Sequence, residues 1–317
     1  MKILVDVDEL LEQGLINAGT ADILRTHSLR DTGTTAINLL LAFGAIAVAA
    51  GLTALTQSAG LSAIFGLAFI AGGWFTNKNF ELNWGKLGSI WMVVGALVLC
   101  GAFGVLLDKP LESGILAAMI LGGTAYLAGS RLLAGLVPLA IESALGGSTG
   151  YWTACYEIVV REPTITIGVF AVLGLAAWII TQRLTGIQQA LTLTFTRVSI
   201  ILINMGFWIG SLWGDSPGHM WRAGDTYDGT PTISAMFFVV TWALALLGAG
   251  FWAAQNGRRF LVNTVATFGA IHLYTQWFER LGADPLTVVA AGVATIAIGL
   301  AFWRYNRRDL QPQNPTP

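Results

Sequence analysis

Charged residues are scarce in this chain: 11% of its 317 residues are Asp, Glu, Lys or Arg, whereas soluble domains carry about 25%. So few charges cannot cover the surface of a soluble protein of this size. The two cysteines, Cys100 and Cys155, are too few for a disulfide framework. No histidine, cysteine or carboxylate spacing typical of a metal site is present, so we predict neither a metal nor another cofactor. A net charge of −1, with basic residues scattered singly or in pairs, argues against a nucleic-acid partner.

Apolar sequence is abundant instead, with 55% hydrophobic residues and a mean hydropathy of +0.66. It falls in runs of about 17 to 23 residues, the length that crosses a hydrocarbon core about 30 Å thick. The runs lack the alternation of a barrel strand, so they predict α-helices. The fold class predicted is all-α, a polytopic transmembrane helix bundle in the lipid bilayer. The ten predicted spans are 34–56, 59–75, 87–107, 113–129, 132–147, 164–180, 192–213, 232–254, 260–280 and 285–304.

The distribution of Lys and Arg predicts the orientation of these spans, because basic residues concentrate in cytoplasmic loops. With ten spans and the N-terminus inside, thirteen basic residues lie inside and four outside. Removing the weakest span, 132–147, which contains Pro138, leaves nine against eight. We therefore predict ten spans with the N-terminus and the C-terminus both cytoplasmic.

The ends of the chain differ from its apolar centre. Leu and Ile alternate with acidic residues before the first span, which predicts a cytoplasmic amphipathic helical hairpin over residues 1–33. Gly14 would end its first helix, and Asn17 or Thr20 would cap the second. The predicted domains are this hairpin, a transmembrane bundle over 34–304 and a disordered cytoplasmic tail over 305–317.

One face of the ninth span carries polar residues. Phe268, His272, Gln276 and Glu279 follow at spacings of four, four and three, so they share one helical face. That face must contact protein or water rather than lipid, because polar groups in hydrocarbon are costly. Two interpretations stay open: an interhelical hydrogen bond, or a site on a substrate or proton path. Glu279 lies near the predicted outer boundary, where water would reach it.

Glu142, in the short fifth span, is the other candidate for such a path. It lies at a depth similar to that of Gln276. If the fifth and ninth spans are neighbours, its carboxylate and the His272 imidazole could pair and titrate together as a proton switch.

Other polar residues of the spans favour structural interpretations. Asn204 predicts an interhelical hydrogen bond, and Arg197 can extend to the cytoplasmic headgroups. Trp242 is the one tryptophan near the middle of a span. The loop 213–231 is rich in Gly, Pro, Asp and Ser, which is typical of a structured turn. The alternative there is a divalent-cation site made by Asp215, His219, Asp225 and Asp228.

Three stretches of the chain resemble a family of bacterial multi-spanning integral membrane proteins, a domain of unknown function. They are the hairpin "ELLEQGLINAGTADIL", the first span "INLLLAFGAIAVAAGLTAL" and the late pair "FGAIHLYTQWFERLG" and "AAGVATIAIGLAFWRYNRR". The hairpin matches the family's opening pattern at Leu10, Gly14, Leu15 and Ile16. The resemblance implies a bacterial inner-membrane location and supplies no activity.

Three classes of function fit these observations unequally. A permease for a small molecule or an ion, or a component of one, would use Glu142, His272, Gln276 and Glu279. A membrane scaffold, assembly or sensor subunit would instead bind a protein partner through the N-terminal hairpin. An enzyme is the least favoured class, because no nucleophile and base and no metal pair emerges.

Overall fold

The computed structural model describes residues 7–12, 14–24, 40, 43, 44, 47, 48, 50–79, 83–107, 109–152, 155–218, 230–282 and 284–308. About half of the first predicted span, the middle of loop 213–231 with His219, Asp225 and Asp228, and the end of the predicted tail lie outside these residues. The chain divides into two compact units. Unit 1 comprises Met1–Ile141 and Thr185–Leu191, and unit 2 comprises Glu142–Leu184 and Thr192–Pro317.

The described part of the chain is mostly helical. The helices are α1 (Val7–Glu12), α2 (Ala59–Asn79), α3 (Asn83–Leu107), α4 (Pro110–Ala128), α5 (Arg131–Ala144), α6 (Pro163–Thr181), α7 (Gly186–Trp213), α8 (Ala235–Gln255), α9 (Arg259–Leu281) and α10 (Pro285–Arg308). Residues 18–24 and 50–56 are helical as well. Each predicted span from residue 59 onward therefore falls on a helix.

Two results differ from the sequence prediction. The all-α prediction missed an antiparallel pair of strands, β1 (Ser148–Trp152) and β2 (Cys155–Val159), between α5 and α6. The backbone N–H and C=O groups of the two strands pair with each other, so a short hairpin can form between two helices. The last helix also continues to Arg308, four residues beyond the predicted span and into the predicted tail.

Within the described part of the chain, six helices are long and apolar enough to cross a membrane: α2, α3, α4, α6, α7 and α8. They indicate a membrane protein. The other predicted spans are weaker by length or composition. Helix α5 has 14 residues, α9 carries the polar face, and the apolar part of α10 is the shorter stretch Pro285–Ala297. The count of ten crossings therefore remains a prediction.

Two local sequence signals mark the end of α1 and the start of the helix over residues 18–24. Gly14 adopts a φ of +66°, a left-handed conformation that favours glycine, and its N–H donates to the carbonyl of Leu11. The side-chain Oδ1 of Asn17 accepts from the backbone N–H of Thr20 at 2.8 Å, which caps the next helix. Ala21 of this helix is buried, while Ile23 of the helix and Leu15, which precedes it, are more than half exposed.

Unit 1 is held together by an unusually close pair of helices, α2 and α3. Gly66 lies against Gly95, and Gly73 lies against Gly88, so glycines seven residues apart on each helix face each other. A Cβ at Gly88 would lie 2.5 Å from the carbonyl oxygen of Gly73, and one at Gly95 would lie 2.6 Å from that of Gly66. Only hydrogen in place of a side chain lets the two backbones approach this closely.

Beside this pair, α3, α4 and α5 share an apolar core. Its buried members are Ala96, Leu121, Ala125, Leu133, Ala134, Ala140 and Leu191. Helix α4 starts with Pro110 at its first position and ends at Gly129 in the left-handed conformation, which are the residue types that favour helix starts and ends. These local signals explain why so apolar a segment begins and ends where it does.

Unit 2 has its core where α7, α8 and α9 meet. Trp242 and Leu246 of α8 and Phe268 of α9 are buried there, packed against Met205, Phe207 and Trp208 of α7. Trp242 is 0% exposed. Gly210 of α7 accommodates the ring of Phe238, since a Cβ at this position would lie 2.6 Å from a ring carbon. The polar residues discussed below surround this core.

Candidate functional site

The polar face of α9 packs on a buried tryptophan of α8. The imidazole of His272 meets the indole of Trp242 edge to face, with ring centroids 4.8 Å apart, and Phe268 lies 6.5 Å from the same indole. Residues 268 and 272 are one turn apart, so both rings reach the same partner. The prediction that this face contacts protein agrees with these positions.

Hydrogen bonds from two tryptophan indoles join α7 to α8 and α9 around this face. The indole N–H of Trp242 donates to Oδ1 of Asn204 at 3.0 Å, the interhelical bond that the sequence predicts for this asparagine. The indole N–H of Trp208 donates to Oγ1 of Thr275 on α9, also at 3.0 Å. Both bonds fix α7 to its neighbours, since a buried N–H without a partner is costly.

Two polar atoms of the α9 face are buried without a hydrogen-bond partner among the described residues. They are Nδ1 of His272 and Nε2 of Gln276, one helical turn apart. Most buried polar groups in proteins find a partner in protein, water or ligand. The pair therefore marks a place where water or a small solute would complete the hydrogen bonding.

The C-terminal end of this face differs from its centre. Gln276 accepts a hydrogen bond at Oε1 from Nε of Arg280 at 3.4 Å, and Nη2 of Arg280 lies 3.1 Å from the sulfur of Met236. Glu279 is exposed. Its side chain is therefore not part of the buried centre of this face. The sequence analysis placed Glu279 near the predicted outer boundary of the span, where water would reach it.

Glu142, at the end of α5, is buried and has a hydroxyl partner. It is 6% exposed, and Oγ1 of Thr166 on α6 lies 3.1 Å from each carboxylate oxygen. The chain turns back over it at Gly147, where a Cβ would lie 2.5 Å from Cγ of Glu142 and 2.8 Å from Oε1. A glycine at this turn is what leaves room for the carboxylate.

Two further carboxylates belong to the start of α6: Asp215 contacts its first turn, and Glu162 is the residue before the helix. Oδ2 of Asp215 accepts the backbone N–H of Thr164 at 2.7 Å, and Oε2 of Glu162 accepts the backbone N–H of Gly218 at 2.7 Å. Glu162 is 0% exposed and Asp215 is 4% exposed. With Glu142 on Thr166, three buried acids surround this helix start, where the helix dipole favours negative charge.

Sequence reasoning identified neither Glu162 nor the position of Asp215. Asp215 follows α7 directly, and its backbone pairs with Ile233 before α8 through two hydrogen bonds of 2.9 and 2.8 Å. Backbone pairing thus joins the segments on either side of the part of loop 213–231 that lies outside the described residues. The sequence signal that could have marked this helix start is Pro163, which follows Glu162, because proline is typical of a first helical position.

The structure does not bring the Glu142 and His272 side chains together. The described hydrogen bonds of Glu142 go to Thr166, and the ring of His272 lies on Trp242. Helix α7 contacts both places: a Cβ at Gly206 would lie 3.4 Å from Cγ2 of Thr166, and Asn204 binds Trp242. The described contacts of the two side chains thus do not include each other, and the pairing expected if the fifth and ninth spans are neighbours remains a prediction.

No group of three His, Cys, Asp or Glu side chains in the described part of the chain could hold a metal ion. Asp215 is engaged with the start of α6. His219, Asp225 and Asp228 lie outside the described residues, so the cation site suggested for this loop has no described ligand set.

Replacing Asp215 with alanine will destabilise the start of α6. The change leaves the N–H of Thr164 without its acceptor, which costs about 1 to 3 kcal/mol for a buried group. SDS-induced unfolding of the purified chain in mixed micelles measures the loss. Asp215→Asn keeps an acceptor oxygen and should cost less.

The control is Asp284→Ala, which removes an exposed aspartate just before α10. Exposed substitutions usually change stability by no more than about 0.5 kcal/mol. Equal losses for the Asp215 and Asp284 variants would contradict the capping role of Asp215.

Comparison with known proteins adds no relative. No protein-family model matches the chain, and neither a curated protein nor a solved structure is significantly similar to it. The resemblance to a bacterial membrane-protein family, and the bacterial origin that it implies, therefore gain no support. The class of protein rests on the helices: a helical chain with six segments apolar and long enough to span a membrane.

Proposed function

We propose that the chain is a permease, or a permease component, for a proton, a cation or a small polar molecule. The observation that carries this proposal is the pair of buried, unpartnered polar atoms on α9, Nδ1 of His272 and Nε2 of Gln276. Polar side chains within membrane helices usually mark ion, proton or substrate routes when they face the protein interior.

The energetic cost of these atoms supports a transport role over a purely structural one. Leaving a buried donor or acceptor unpaired costs about 1 to 3 kcal/mol. A role in helix contact alone would favour a partner on the neighbouring helix, as Asn204 provides for Trp242. An atom that must bind and release a passing solute is instead left without a permanent protein partner.

The charges near the first turn of α6 favour a positively charged or neutral cargo. Glu142, Glu162 and Asp215 are all buried there, and rings of carboxylates select cations in known channels. In this proposal the route passes the Thr166 hydroxyl and the residues of α7 that also contact α8 and α9.

The topology of the proposal is the ten-span arrangement with both termini in the cytoplasm, in a bacterial inner membrane. Its support is the distribution of basic residues, thirteen against four. In that arrangement the turn between α5 and α6 and the end of α9 both face the outer side. Glu142 and Gln276 then lie at similar depths.

Proton flux tests the proposal directly. The full chain is reconstituted into liposomes that contain a pH-sensitive dye, and a potassium diffusion potential drives proton entry, with and without candidate solutes outside. We expect flux above that of protein-free liposomes, and we expect His272→Ala to reduce it to the protein-free level. The mechanism requires an imidazole that can gain and lose a proton.

The matched control is Asn263→Ala, on the same helix but at an exposed position. This variant should retain the flux of the wild-type protein. If His272→Ala and Gln276→Leu both retain wild-type flux, or if no solute and no proton moves in the wild-type protein, the permease proposal fails.

A scaffold, assembly or sensor subunit is the second candidate, and one observation favours it. Leu15 and Ile23 of the N-terminal segment are 66% and 61% exposed, outside the six candidate spans. These side chains could bind a protein partner. Absence of flux, together with loss of a cellular phenotype on deletion of residues 1–31 but not in His272→Ala, would favour this function.

A further inference from the structure

We propose that the polar face of α9 takes a small neutral molecule with hydroxyl groups, of the polyol class, as its cargo. This inference rests on the proposed function and names the kind of solute that His272 and Gln276 would bind. Three observations carry it: the unpartnered atom of each residue, the contact that orients the Gln276 amide, and the buried acids near the start of α6.

Arg280 sets the orientation of the Gln276 side-chain amide. Nε of Arg280, one helical turn further along α9, donates to Oε1 of Gln276 at 3.4 Å. A guanidinium carries only donors, so the amide must turn its oxygen toward Arg280 and its NH2 group away from it. Nη2 of Arg280 also lies 3.1 Å from the sulfur of Met236 on α8. Gln276 therefore presents a donor, Nε2, at the buried part of the face.

A buried amide NH2 group needs an acceptor and disfavours a cation. Nε2 of Gln276 has no partner among the described residues, and the guanidinium bound to the oxygen of the same amide polarises its N–H groups further. Two neighbouring acceptors are already engaged, since Oγ1 of Thr275 accepts from Trp208 and Oδ1 of Asn204 accepts from Trp242. The cargo therefore supplies an oxygen with a free lone pair.

His272 adds a second requirement. Its Nδ1 also lacks a partner among the described residues, and residues four apart on a helix lie about 6 Å apart along its axis. In a neutral imidazole this nitrogen is a donor in one tautomer and an acceptor in the other. A hydroxyl group can donate or accept, so it satisfies either tautomer, whereas a carbonyl oxygen satisfies only one. A molecule with two or more hydroxyl groups can bind both side chains.

The fixed charges favour a neutral solute over an ion of either sign. Arg280 is bonded to the amide that would bind the cargo, so its positive charge disfavours a cation there. Glu142 and Asp215 are buried near the first turn of α6 and disfavour an anion on the route proposed above. Glu279 is exposed, where water weakens the effect of its charge. A neutral polyol avoids both penalties.

Uptake into liposomes that contain the full chain tests the inference. The probes are radiolabelled glycerol, choline and glycerate, which are small hydroxyl-bearing solutes with no charge, a positive charge and a negative charge. We expect glycerol alone to enter faster than into protein-free liposomes. Gln276→Leu should slow glycerol entry about two- to tenfold below saturation, the usual effect of losing one hydrogen bond. The variant should fold, because the change also removes an unpaired buried donor.

Gln255→Leu is the matched control, since it makes the same substitution at an exposed position at the end of α8. It should leave glycerol entry unchanged. Two variants test the positioning role of Arg280. Arg280→Met removes the donor that orients the amide and should slow glycerol entry, whereas Arg280→Lys keeps a donor and should restore most of the wild-type rate.

Three results would overturn the inference while leaving a permease. They are proton flux that depends on His272 without glycerol entry above the protein-free rate, entry of choline as fast as glycerol, and equal glycerol entry in Gln276→Leu and the wild-type protein. A fourth result removes the proposed function itself: neither protons nor any of the three probes enter faster than into protein-free liposomes.

Discussion

Replacing Gly73 with alanine will destabilise the protein by about 3 kcal/mol or more, the upper end of the usual cost of overpacking a core. A Cβ at this position would overlap the carbonyl oxygen of Gly88 and lie 2.7 Å from Cγ and 2.9 Å from the backbone nitrogen of Met92. Two of these three atoms belong to the backbone of α3, which cannot rotate away. The two helices must separate to accept one methyl group.

Gly101→Ala on α3 is the matched control, because it makes the same substitution in a helix interior. No atom lies within 4 Å of a Cβ at Gly101. Alanine is a better helix former than glycine by about 1 kcal/mol, so this variant should be as stable as the wild-type protein or more so. SDS-induced unfolding in mixed micelles, followed by tryptophan fluorescence, gives both values.

Gly88→Ala tests the same contact from the other helix. It should cost a similar amount, and the Gly73 and Gly88 variants combined should cost less than the sum of the two losses, since they open the same contact. Equal stability of Gly73→Ala and Gly101→Ala would contradict the close approach of α2 and α3.

Replacing Trp242 with alanine will cost about 3 to 5 kcal/mol, the usual loss for removing a buried aromatic side chain. The indole is 0% exposed, contacts Phe268 and His272, and donates to Asn204. In a membrane, most of this cost comes from the lost packing contacts and from the cavity, because the exposure of apolar side chains to lipid costs little free energy. The same unfolding measurement detects it.

Phe251→Ala is the control for size, since it removes a 69% exposed aromatic ring from the same helix. It should change stability by about 0.5 kcal/mol or less. A loss for Trp242→Ala no larger than this would place the indole outside the core.

A second pair of variants separates the hydrogen bond from the volume of the indole. Trp242→Phe leaves Oδ1 of Asn204 without its donor and should cost part of the total. Adding Asn204→Leu removes the unpaired acceptor and should recover stability, because replacing both partners with apolar groups is often nearly neutral. Further loss in the double variant would show that the bond itself contributes little.

The positions of the helices were largely predictable from the sequence. Each apolar run from residue 59 onward coincides with a helix, because a segment in lipid must satisfy its own backbone and must be long enough to cross. Local signals were equally readable at Gly14 and Asn17, where a left-handed glycine and a cap depend on residues only a few positions apart. The β-hairpin was not predicted, because the pairing of its two strands does not depend on the apolar runs from which the helices were predicted.

The contacts between helices were less predictable. Ala96, Cys100 and Gly104 are small residues at spacings of four in α3, a pattern that permits close helix packing. Ala96 is buried, but Gly104 has no atom within 4 Å of its Cβ position. The closest approach instead uses Gly88 and Gly95 of the same helix. A small residue permits contact, but the facing helix decides which small residue is used.

The candidate site likewise has one feature that the sequence predicted and surroundings that it did not. Spacing along one helix placed His272 and Gln276 on a common face, and each carries a buried polar atom without a partner among the described residues. Their surroundings depended on residues distant in sequence, with Trp242 and Asn204 beside His272. Glu142, the predicted partner, binds Thr166.

By itself the sequence determined the class of protein, the helix positions and the polar face of α9, since each follows from hydrophobicity and spacing along one segment. Tertiary structure alone decided that Glu142 and Asp215 contact the first turn of α6, that Glu162 binds the N–H of Gly218, and that Arg197 reaches the start of α9. The physical reason is that short-range periodicity specifies which face of a helix is polar. The packing of distant segments specifies what that face meets.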